Sequence, residues 1–297
     1  MSELHGFSSA TQAVHGPRLS SAQRDLLAEW LPGAVVVADL SWGLVDSWVW
    51  RVRVGGRDVV VKAGGVGNRH LTREIAGYRG AVAALSGRDA APRLLYADED
   101  ERILVLSLLP GRLALGSGAA TDPTVHDEAG RILRILHSRT THIDPRLDHH
   151  LHAKALRWLE RPHHIPPQEA AHAREILESY RPRPVEVVPS HGDYGPRNWL
   201  VDGPHVRTFD FGRFGHRPVE EDLVHLATGP WLGRPDLREA FFRGYGADAG
   251  ALLATERFRI TVVREAVAMS AWACKVGDEA FERRGLRVLH AALKCIE

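Results

Sequence analysis

The fold and the chemistry of this chain are indicated by Ser-His-Gly-Asp-Tyr-Gly-Pro-Arg-Asn-Trp-Leu at residues 190–200 and by Phe-Asp-Phe-Gly at residues 209–212. Asp193 and Asn198 lie five residues apart, on a segment broken by a glycine and a proline, which are turn-forming residues. Asp210 comes seventeen residues after Asp193 and follows a short, partly apolar segment that is typical of the end of a strand. We therefore expect two acids and one amide to point from loops into one cleft.

These three side chains match what phosphoryl transfer from a nucleotide requires. The reaction needs one carboxylate at the acceptor hydroxyl and two oxygen ligands for magnesium. Asp193 is the candidate for the first role, and Asn198 and Asp210 are the candidates for the second. A His-Gly-Asp turn alone is ordinary loop chemistry, so the interpretation depends on the joint pattern, including the Phe-Gly after the last acid. The pattern predicts a kinase.

The motifs resemble those of the aminoglycoside phosphotransferase family, which shares its fold with protein kinases. The family pattern of His-Gly-Asp, four residues and Asn is present at residues 191–198, and its later metal-binding Asp corresponds to Asp210. Its Pro-x-x-x-Asp-Leu ending fits residues 218–223, and residues 130–137 match the Leu-x-x-Leu-His helix that precedes the catalytic loop. The resemblance covers roughly residues 35–230.

The resemblance implies an α+β, two-lobed protein-kinase-like fold with a small antiparallel-sheet N-lobe and a mainly helical C-lobe. We expect a flexible N-terminal tail over residues 1–18, a nucleotide-binding N-lobe over residues 19–109 and a catalytic, acceptor-binding C-lobe over residues 110–297. The composition agrees, because 297 residues with 44% hydrophobic content are enough for a sizeable core and two domains.

Lys62 is the candidate for binding the nucleotide phosphates. Only four of the 38 Lys and Arg residues are lysines, and Lys62 ends the predicted strand Val59–Lys62. An ammonium group is a compact point charge that suits phosphate oxygens, whereas arginine presents a planar fork. The alternative is a solvated lysine at the end of a strand.

Glu74 is the predicted partner of Lys62. Apolar residues recur at helical spacing from Leu71 to Leu85, and Glu74 lies at the edge of this apolar face. A carboxylate here could hold Lys62 toward the phosphates, as the strand lysine and helix glutamate do in kinases. The alternative is a solvated helix residue, like the neighbouring arginines.

A loop that covers the nucleotide is expected over residues 41–47, Ser-Trp-Gly-Leu-Val-Asp-Ser. An alternating strand follows it, and Gly55-Gly56 turns that strand into the one that carries Lys62. The loop contains one glycine, so the glycine-rich signature of protein kinases is absent. The resemblance suggests that backbone amides and the Ser47 hydroxyl contact phosphate, and a plain hairpin turn is the alternative.

A hinge is expected where the apolar run Ile103–Leu109 ends at Pro110-Gly111, because the run predicts a buried strand and the last two residues break it. In the fold that the resemblance implies, backbone groups from Ser107 to Leu109 hydrogen-bond the purine. Recognition by backbone leaves little trace in side chains. Both ATP and GTP therefore stay open as the phosphate donor.

Two further residues receive supporting roles from the resemblance. His191 is expected to brace the catalytic loop rather than to transfer protons. Asp222 is expected to anchor that loop through hydrogen bonds from the helix that follows.

Several classes of partner are disfavoured by the composition. No stretch approaches the roughly 20 apolar residues that cross a bilayer, and Met1–Gly16 has no signal-peptide pattern, so we expect a cytoplasmic protein without a membrane partner. A net charge of +1 argues against binding to nucleic acid. Cys274 and Cys295 suit a reducing compartment and are interpreted as packing residues.

Five of the 17 histidines cluster between residues 149 and 164 and raise the question of a metal site. They are His149, His150, His152, His163 and His164. Their spacings resemble no standard zinc site, and no cysteine or acidic ligand set accompanies them in the sequence. We interpret the segment as a solvated, polar insert.

Acceptor specificity is expected from this helical insert and from the C-terminal helices. Residues 216–297 contain twelve acidic residues and twelve Lys or Arg residues, a balance that does not favour a polycationic aminoglycoside. Trp231 and Trp272 are either apolar walls for a less charged acceptor or core aromatics.

The sequence thus predicts a magnesium-dependent O-phosphotransferase that acts on a hydroxyl of a small molecule, an antibiotic or a related secondary metabolite. The alternatives are a primary-metabolite kinase for choline, homoserine or a sugar, and a nucleotide-binding regulatory module without turnover. The oligomeric state is left open.

Overall fold

The computed structural model describes residues 12–13, 19–41 and 47–294, apart from the side chains of residues 12, 13 and 249. Residues 42–46 of the predicted covering loop lie outside the described residues, as do Cys295 and most of the predicted tail. No helix among the described residues is both long and apolar enough to span a membrane.

The chain forms two compact units. The first comprises Met1–Pro110 and Asp210–Arg213, and the second comprises Gly111–Phe209 and Phe214–Glu297. The first boundary lies at the Pro-Gly breaker that follows the predicted hinge. The sequence did not indicate that the short segment Asp210–Arg213 belongs to the first unit.

The first unit contains one six-stranded antiparallel sheet in the order β1-β2-β3-β4-β6-β5. Its strands are β1 (Gln12–Ala13), β2 (Val35–Asp39), β3 (Ser47–Val54), β4 (Arg57–Gly64), β5 (Leu94–Asp98) and β6 (Ile103–Ser107). Its helices are α1 (Ser21–Trp30), α2 (Arg69–Arg79) and α3 (Ala83–Ser86). Inward-facing residues of the central strands form the core with α1, and Val52, Val61, Ala63, Ile103 and Val105 are fully buried.

Local sequence signals account for most of these elements. Ser20 caps α1 in a capping box with Gln23, and Gly55-Gly56 forms the two-residue turn between β3 and β4 with φ angles of 53° and 76°. Strand β4 continues past Lys62 to Gly64, so Lys62 lies inside the strand rather than at its end. The helical spacing from Leu71 to Leu85 is divided, because α2 ends at Arg79 with Gly80 as its C-cap and α3 follows.

The second unit is mainly helical. Its helices are α4 (Pro123–His137), α5 (Leu147–Leu159), α6 (Pro167–Ser179), α7 (Glu220–Ala227), α8 (Pro235–Tyr245), α9 (Ala249–Leu253), α10 (Glu256–Val276) and α11 (Glu279–Lys294). Its strands are β7 (Arg112–Leu113), β8 (His142–Asp144), β9 (Val185–Ser190), β10 (Trp199–Asp202), β11 (His205–Thr208) and β12 (Gly215–Arg217). They form two three-stranded sheets in the orders β11-β10-β7 and β12-β9-β8.

Helices α4 and α8 pack with their backbones in close contact. A methyl group at Gly130 would overlap the carbonyl oxygen of Phe241, and one at Gly244 would overlap that of Asp127. Two glycines thus allow the approach that any larger residue would block. The contact fixes α4, whose N-terminus is capped by Asp122 and whose last residue, His137, reaches the candidate site.

Candidate active site

Asp222 holds the catalytic loop of the second unit from the first turn of α7. Its Oδ2 accepts a hydrogen bond of 2.8 Å from the backbone N–H of His191, and its Oδ1 accepts one of 2.6 Å from that of Gly192. Gly192 has a φ of 78°, in the left-handed region that glycine adopts without strain. The predicted anchoring role of Asp222 therefore has the expected geometry.

His137 is the third partner of Asp222. Its Nε2 lies 3.1 Å from Asp222 Oδ2, and its Nδ1 lies 2.8 Å from the hydroxyl of Tyr245 on α8. Burial raises the pKa of Asp222, but the His137 hydrogen bond, the charges of His137 and His191 and the Gly192 amide outweigh burial and lower the pKa to about 2. The buried carboxylate is thus ionised at neutral pH and holds α4, α7 and the loop together.

His191 connects the catalytic loop to the strand end that precedes Asp210. Its side chain is fully buried, and its Nε2 donates a hydrogen bond of 3.0 Å to the carbonyl oxygen of Phe209. The backbone N–H of Phe209 in turn donates to the carbonyl of Asn198 at 3.1 Å. These contacts match the bracing role that was expected for His191.

Asp193 carries a partner that sequence reasoning missed. Arg197 Nη2 lies 2.5 Å from Asp193 Oδ2, and the Arg197 side chain is 43% exposed. The signal in the sequence was a cation four residues after the acid and one residue before Asn198. This guanidinium orients the Asp193 carboxylate and partly compensates its charge.

Asn198 is positioned by the same short loop. Its backbone N–H donates to the Gly195 carbonyl at 2.8 Å, and its side-chain Nδ2 donates to the Asp193 carbonyl at 2.8 Å. The amide nitrogen is therefore used inside the loop. The carboxamide oxygen, which is the atom that suits magnesium, is the group left to serve as a ligand.

The first unit holds a buried ion cluster centred on Lys62. Lys62 Nζ lies 2.8 and 3.0 Å from the two carboxylate oxygens of Glu74 and 3.1 Å from Asp210 Oδ1. Burial lowers the pKa of Lys62, but the charges and hydrogen bonds of Asp210 and Glu74 outweigh burial and raise it. Lys62 is therefore charged at neutral pH. The predicted Lys62–Glu74 pair is present, and neither residue is the solvated one of the alternative interpretation.

Asp210 has an unusual backbone conformation. Its φ is 64°, which is uncommon for a residue other than glycine and is often found at functional sites. Its side chain is 49% exposed, whereas those of Lys62 and Glu74 are buried. The segment is held to α2 by a 2.9 Å contact between His70 Nδ1 and the Gly212 carbonyl. An accessible carboxylate is thus fixed beside the ammonium group.

The predicted purine contacts fall on Ser107, the last residue of β6, and on Leu109 just after it. Ser107 uses its backbone N–H in a 2.9 Å hydrogen bond to the Arg93 carbonyl, and its Oγ accepts from the Arg93 N–H at 2.9 Å. These two groups of Ser107 are thus engaged within the first unit, and its contact with the purine stays a prediction. In the part of the chain that the structure describes, the backbone of Leu109 makes no hydrogen bond. Ser47 is half-buried and lies opposite Gly64 at the start of β3.

A small cavity of about 50 Å³ lies among α5, α7 and α10 of the second unit. Its lining is mixed in charge, with Glu221 and Glu265 opposed by Lys154 and Arg264, and Trp158 adds an aromatic surface. Burial raises the pKa of Glu221, and the charge of Glu265 adds to this rise. The location fits the insert and C-terminal helices from which specificity was expected.

The two tryptophans that were considered as acceptor walls differ in their surroundings. Trp231 is buried against Phe241, and its Nε1 donates to Nδ1 of His126 at 3.3 Å. It is therefore a core residue. Trp272 is 37% exposed and does not line the cavity among α5, α7 and α10.

The fold of this chain is similar to those of several solved structures. A thermostable mutant of aminoglycoside phosphotransferase APH(4)-Ia, in a ternary complex with AMP-PNP and hygromycin B, is 15% identical with a TM-score of 0.68, covering 93% of this chain and 98% of that one. Spectinomycin phosphotransferase APH(9)-Ia, in complex with ADP and spectinomycin, is 11% identical with a TM-score of 0.64, covering 90% and 96%. Choline kinase LicA from Streptococcus pneumoniae is 13% identical with a TM-score of 0.64, covering 92% and 97%.

The fold is therefore protein-kinase-like, as the sequence predicted. The profile of the phosphotransferase enzyme family (APH) matches residues 37–259, which is most of the chain. The protein belongs to this family and is a phosphotransferase. No protein in the curated set matches the chain significantly.

The role of Asp222 predicts a pH-dependent loss of stability. Because its pKa falls from 3.8 to about 2 on folding, its ionisation stabilises the fold above about pH 4, and this contribution is lost as the pH drops toward 2. We expect D222N to be destabilised at neutral pH and the difference from wild type to shrink by about 2 kcal/mol across this window. Urea unfolding of both proteins at a series of pH values measures this difference in the free energy of unfolding. A difference that does not change with pH contradicts the assignment.

Proposed function

We propose that this phosphotransferase moves the γ-phosphate of ATP or GTP to a hydroxyl group of a small molecule and requires magnesium. The observation that carries the proposal is the Lys62–Glu74–Asp210 cluster. One ammonium and two carboxylates give the cluster one net negative charge. Of the two carboxylates, that of Asp210 is the half-exposed one. Such a cluster suits a cation and phosphate groups together.

Asp193 is proposed as the group that accepts the proton of the acceptor hydroxyl. As the acceptor oxygen forms its bond to the γ-phosphorus, the bond from that phosphorus to the nucleotide diphosphate breaks, and the hydroxyl proton goes to Asp193. Arg197 is proposed to orient this carboxylate across their 2.5 Å contact. Asp222 and His191 hold the loop, and take no proton themselves.

Asn198 and Asp210 are proposed as the magnesium ligands. A carboxamide oxygen and a carboxylate are the oxygen donors that magnesium prefers, and Asp210 is exposed enough to bind an ion. When bound, magnesium would neutralise phosphate charge. Lys62, held by Glu74, would contact the phosphates directly, while Ser47, Ser107 and Leu109 would contribute to nucleotide binding.

The acceptor is proposed to contact the cavity among α5, α7 and α10. Its mixed lining of two acids and two bases does not suit a polycation, because each added positive charge would meet Lys154 or Arg264 as well as a carboxylate. Trp158 offers a surface for an apolar or sugar-like portion. These features favour a sparsely charged antibiotic or related secondary metabolite over a typical aminoglycoside.

A second candidate is a primary-metabolite kinase for choline, homoserine or a sugar. The fold similarity to a choline kinase supports it, and so do the two acids in the cavity lining, because carboxylates attract an ammonium group. We further expect the protein to be cytoplasmic and to need no nucleic-acid or membrane partner.

A panel of hydroxyl compounds tests the proposal. Antibiotics, secondary metabolites, choline, homoserine and sugars would be incubated with the protein, magnesium and ATP or GTP, and phosphorus NMR would identify a phosphate ester. We expect ester formation with at least one natural-product class. Nucleotide binding without any product across the whole panel would favour the regulatory module instead.

The metal assignment predicts the behaviour of Asp210. Because its side chain is half exposed, D210N should fold normally while it loses magnesium-dependent nucleotide binding and slows transfer by on the order of 10²-fold or more. Calorimetry with and without magnesium measures the first effect, and Asp236→Asn is a control at an exposed aspartate. Unchanged magnesium dependence in D210N would rule the assignment out.

The phosphate assignment predicts a graded series at Lys62. K62A should lower turnover by on the order of 10²- to 10³-fold, and E74Q should lower it less. K62R should also be impaired despite its charge, since a planar guanidinium cannot replace a compact ammonium within the same 2.8 to 3.1 Å contacts. Steady-state rates and nucleotide affinities measure this, with the exposed Lys294→Arg as control. Full activity of K62R would show that Lys62 does not bind phosphate.

A further inference from the structure

Three metal-binding side chains from separate segments meet at one end of the α10–α11 pair. His164 comes from the connection between α5 and α6, Cys274 from the last turn of α10, and Glu282 from the first turns of α11. Their donor atoms, one nitrogen, one sulfur and one oxygen, all lie within 4.8 Å of one another. His164 Nδ1 is 2.8 Å from Glu282 Oε1.

The fold itself brings these residues together. Gly277, with a φ of 75°, ends α10, and the chain turns directly into α11, so Cys274 and Glu282 face each other across a short helical hairpin. Ile165 is buried in the adjacent core and fixes the segment that carries His164. The cluster lies outside the residues proposed for phosphoryl transfer.

The accessibility of the three side chains suits a site that is open on one side. The His164 side chain is 73% exposed and that of Glu282 is 11% exposed, while Cys274 is partly buried. Two donors are thus held by the helices, and the third is free to turn. An ion could enter from solvent on the side of His164.

The donor set selects the kind of metal. Zinc binds thiolate sulfur at about 2.3 Å and imidazole nitrogen or carboxylate oxygen at about 2.0 to 2.2 Å, so tetrahedral donors stand roughly 3.4 Å apart. The three donor atoms lie within 4.8 Å of one another, and the His164–Glu282 distance is 2.8 Å, so small side-chain rotations would bring all three to this spacing. Magnesium and calcium prefer oxygen ligands, whereas thiolate and imidazole suit zinc.

We propose that His164, Cys274 and Glu282 bind one zinc ion, with water as the fourth ligand, and that the ion ties the α5–α6 connection to the α10–α11 hairpin. On binding, the Cys274 thiol releases its proton to solvent. His164 binds as a neutral imidazole through Nδ1, and its ring proton resides on Nε2. No electron is transferred. The inference does not depend on the proposed transfer reaction.

The chain contains a matched control pair. His290 Nδ1 lies 2.8 Å from Glu169 Oε1, the same separation as between His164 and Glu282, and the His290 side chain is 55% exposed. Among the residues that the structure describes, this pair is not grouped with a cysteine. If a histidine and a glutamate alone were sufficient, both pairs would bind zinc equally.

The experiment is a titration of the reduced full-length protein with zinc and with cobalt(II), in excess magnesium and with a phosphine reductant. We expect one zinc ion per chain, a rise in Tm on the order of 5 °C with excess zinc, and near-ultraviolet thiolate-to-cobalt absorption. C274S should abolish that absorption, and H164N should weaken zinc binding at least about 10-fold. H290N and C295S should leave both unchanged.

The opposite results overturn the proposal. A wild-type protein without thiolate-to-cobalt absorption, or one whose absorption is lost in C295S but kept in C274S, excludes Cys274 as a ligand. Zinc affinity that is unchanged in H164N leaves only a His164–Glu282 ion pair beside a packing cysteine. Because His164 is exposed, H164N keeps the test valid even if C274S folds poorly.

Discussion

A single buried carboxylate, that of Asp222, holds the loop that carries Asp193 in the second unit. Asp222 accepts hydrogen bonds from the backbone N–H groups of His191 and Gly192 and contacts the ring of His137. Without the Asp222 carboxylate, the two N–H groups would lose their hydrogen-bond acceptor. A buried charge is tolerated only when it is paired and hydrogen-bonded. The same hydrogen bonds that stabilise the buried Asp222 carboxylate also fix the backbone just before Asp193. Stability and the position of the proposed proton acceptor therefore have one physical cause.

The first unit also contains a buried charge that is stabilised by partners, but here the charge is positive. Lys62 is buried and charged, so it requires carboxylates, and both Glu74 and Asp210 lie within hydrogen-bonding distance. Glu74 is enclosed, whereas Asp210 is half exposed on a strained backbone. The buried pair thus holds an ammonium group in place, and the exposed acid presents the excess negative charge. Phosphates and a divalent ion are the ligands that complement both.

The predictable parts of the structure were those set by local chemistry. The Lys62–Glu74 pair and the anchoring by Asp222 followed from motifs in which residue type and spacing carry the function, and the fold followed from the same motifs. The break in helical structure at Gly80 and the engagement of Ser107 with Arg93 were missed, because they depend on how neighbouring segments pack. The cluster of His164, Cys274 and Glu282 spans more than a hundred residues, so no spacing rule could have revealed it.

The central claim is that Asp193 serves the acceptor hydroxyl and not the nucleotide. The most direct test pairs two measurements on D193A, nucleotide affinity by calorimetry and the rate of phosphate transfer to the acceptor found in the panel. Asp236→Ala is a suitable control, since Asp236 also pairs with an arginine, Arg234, at 2.7 Å. The account predicts nearly normal nucleotide affinity and a loss of transfer on the order of 10²- to 10⁴-fold. Wild-type transfer by D193A, or a loss of nucleotide binding that matches the loss of transfer, would contradict it.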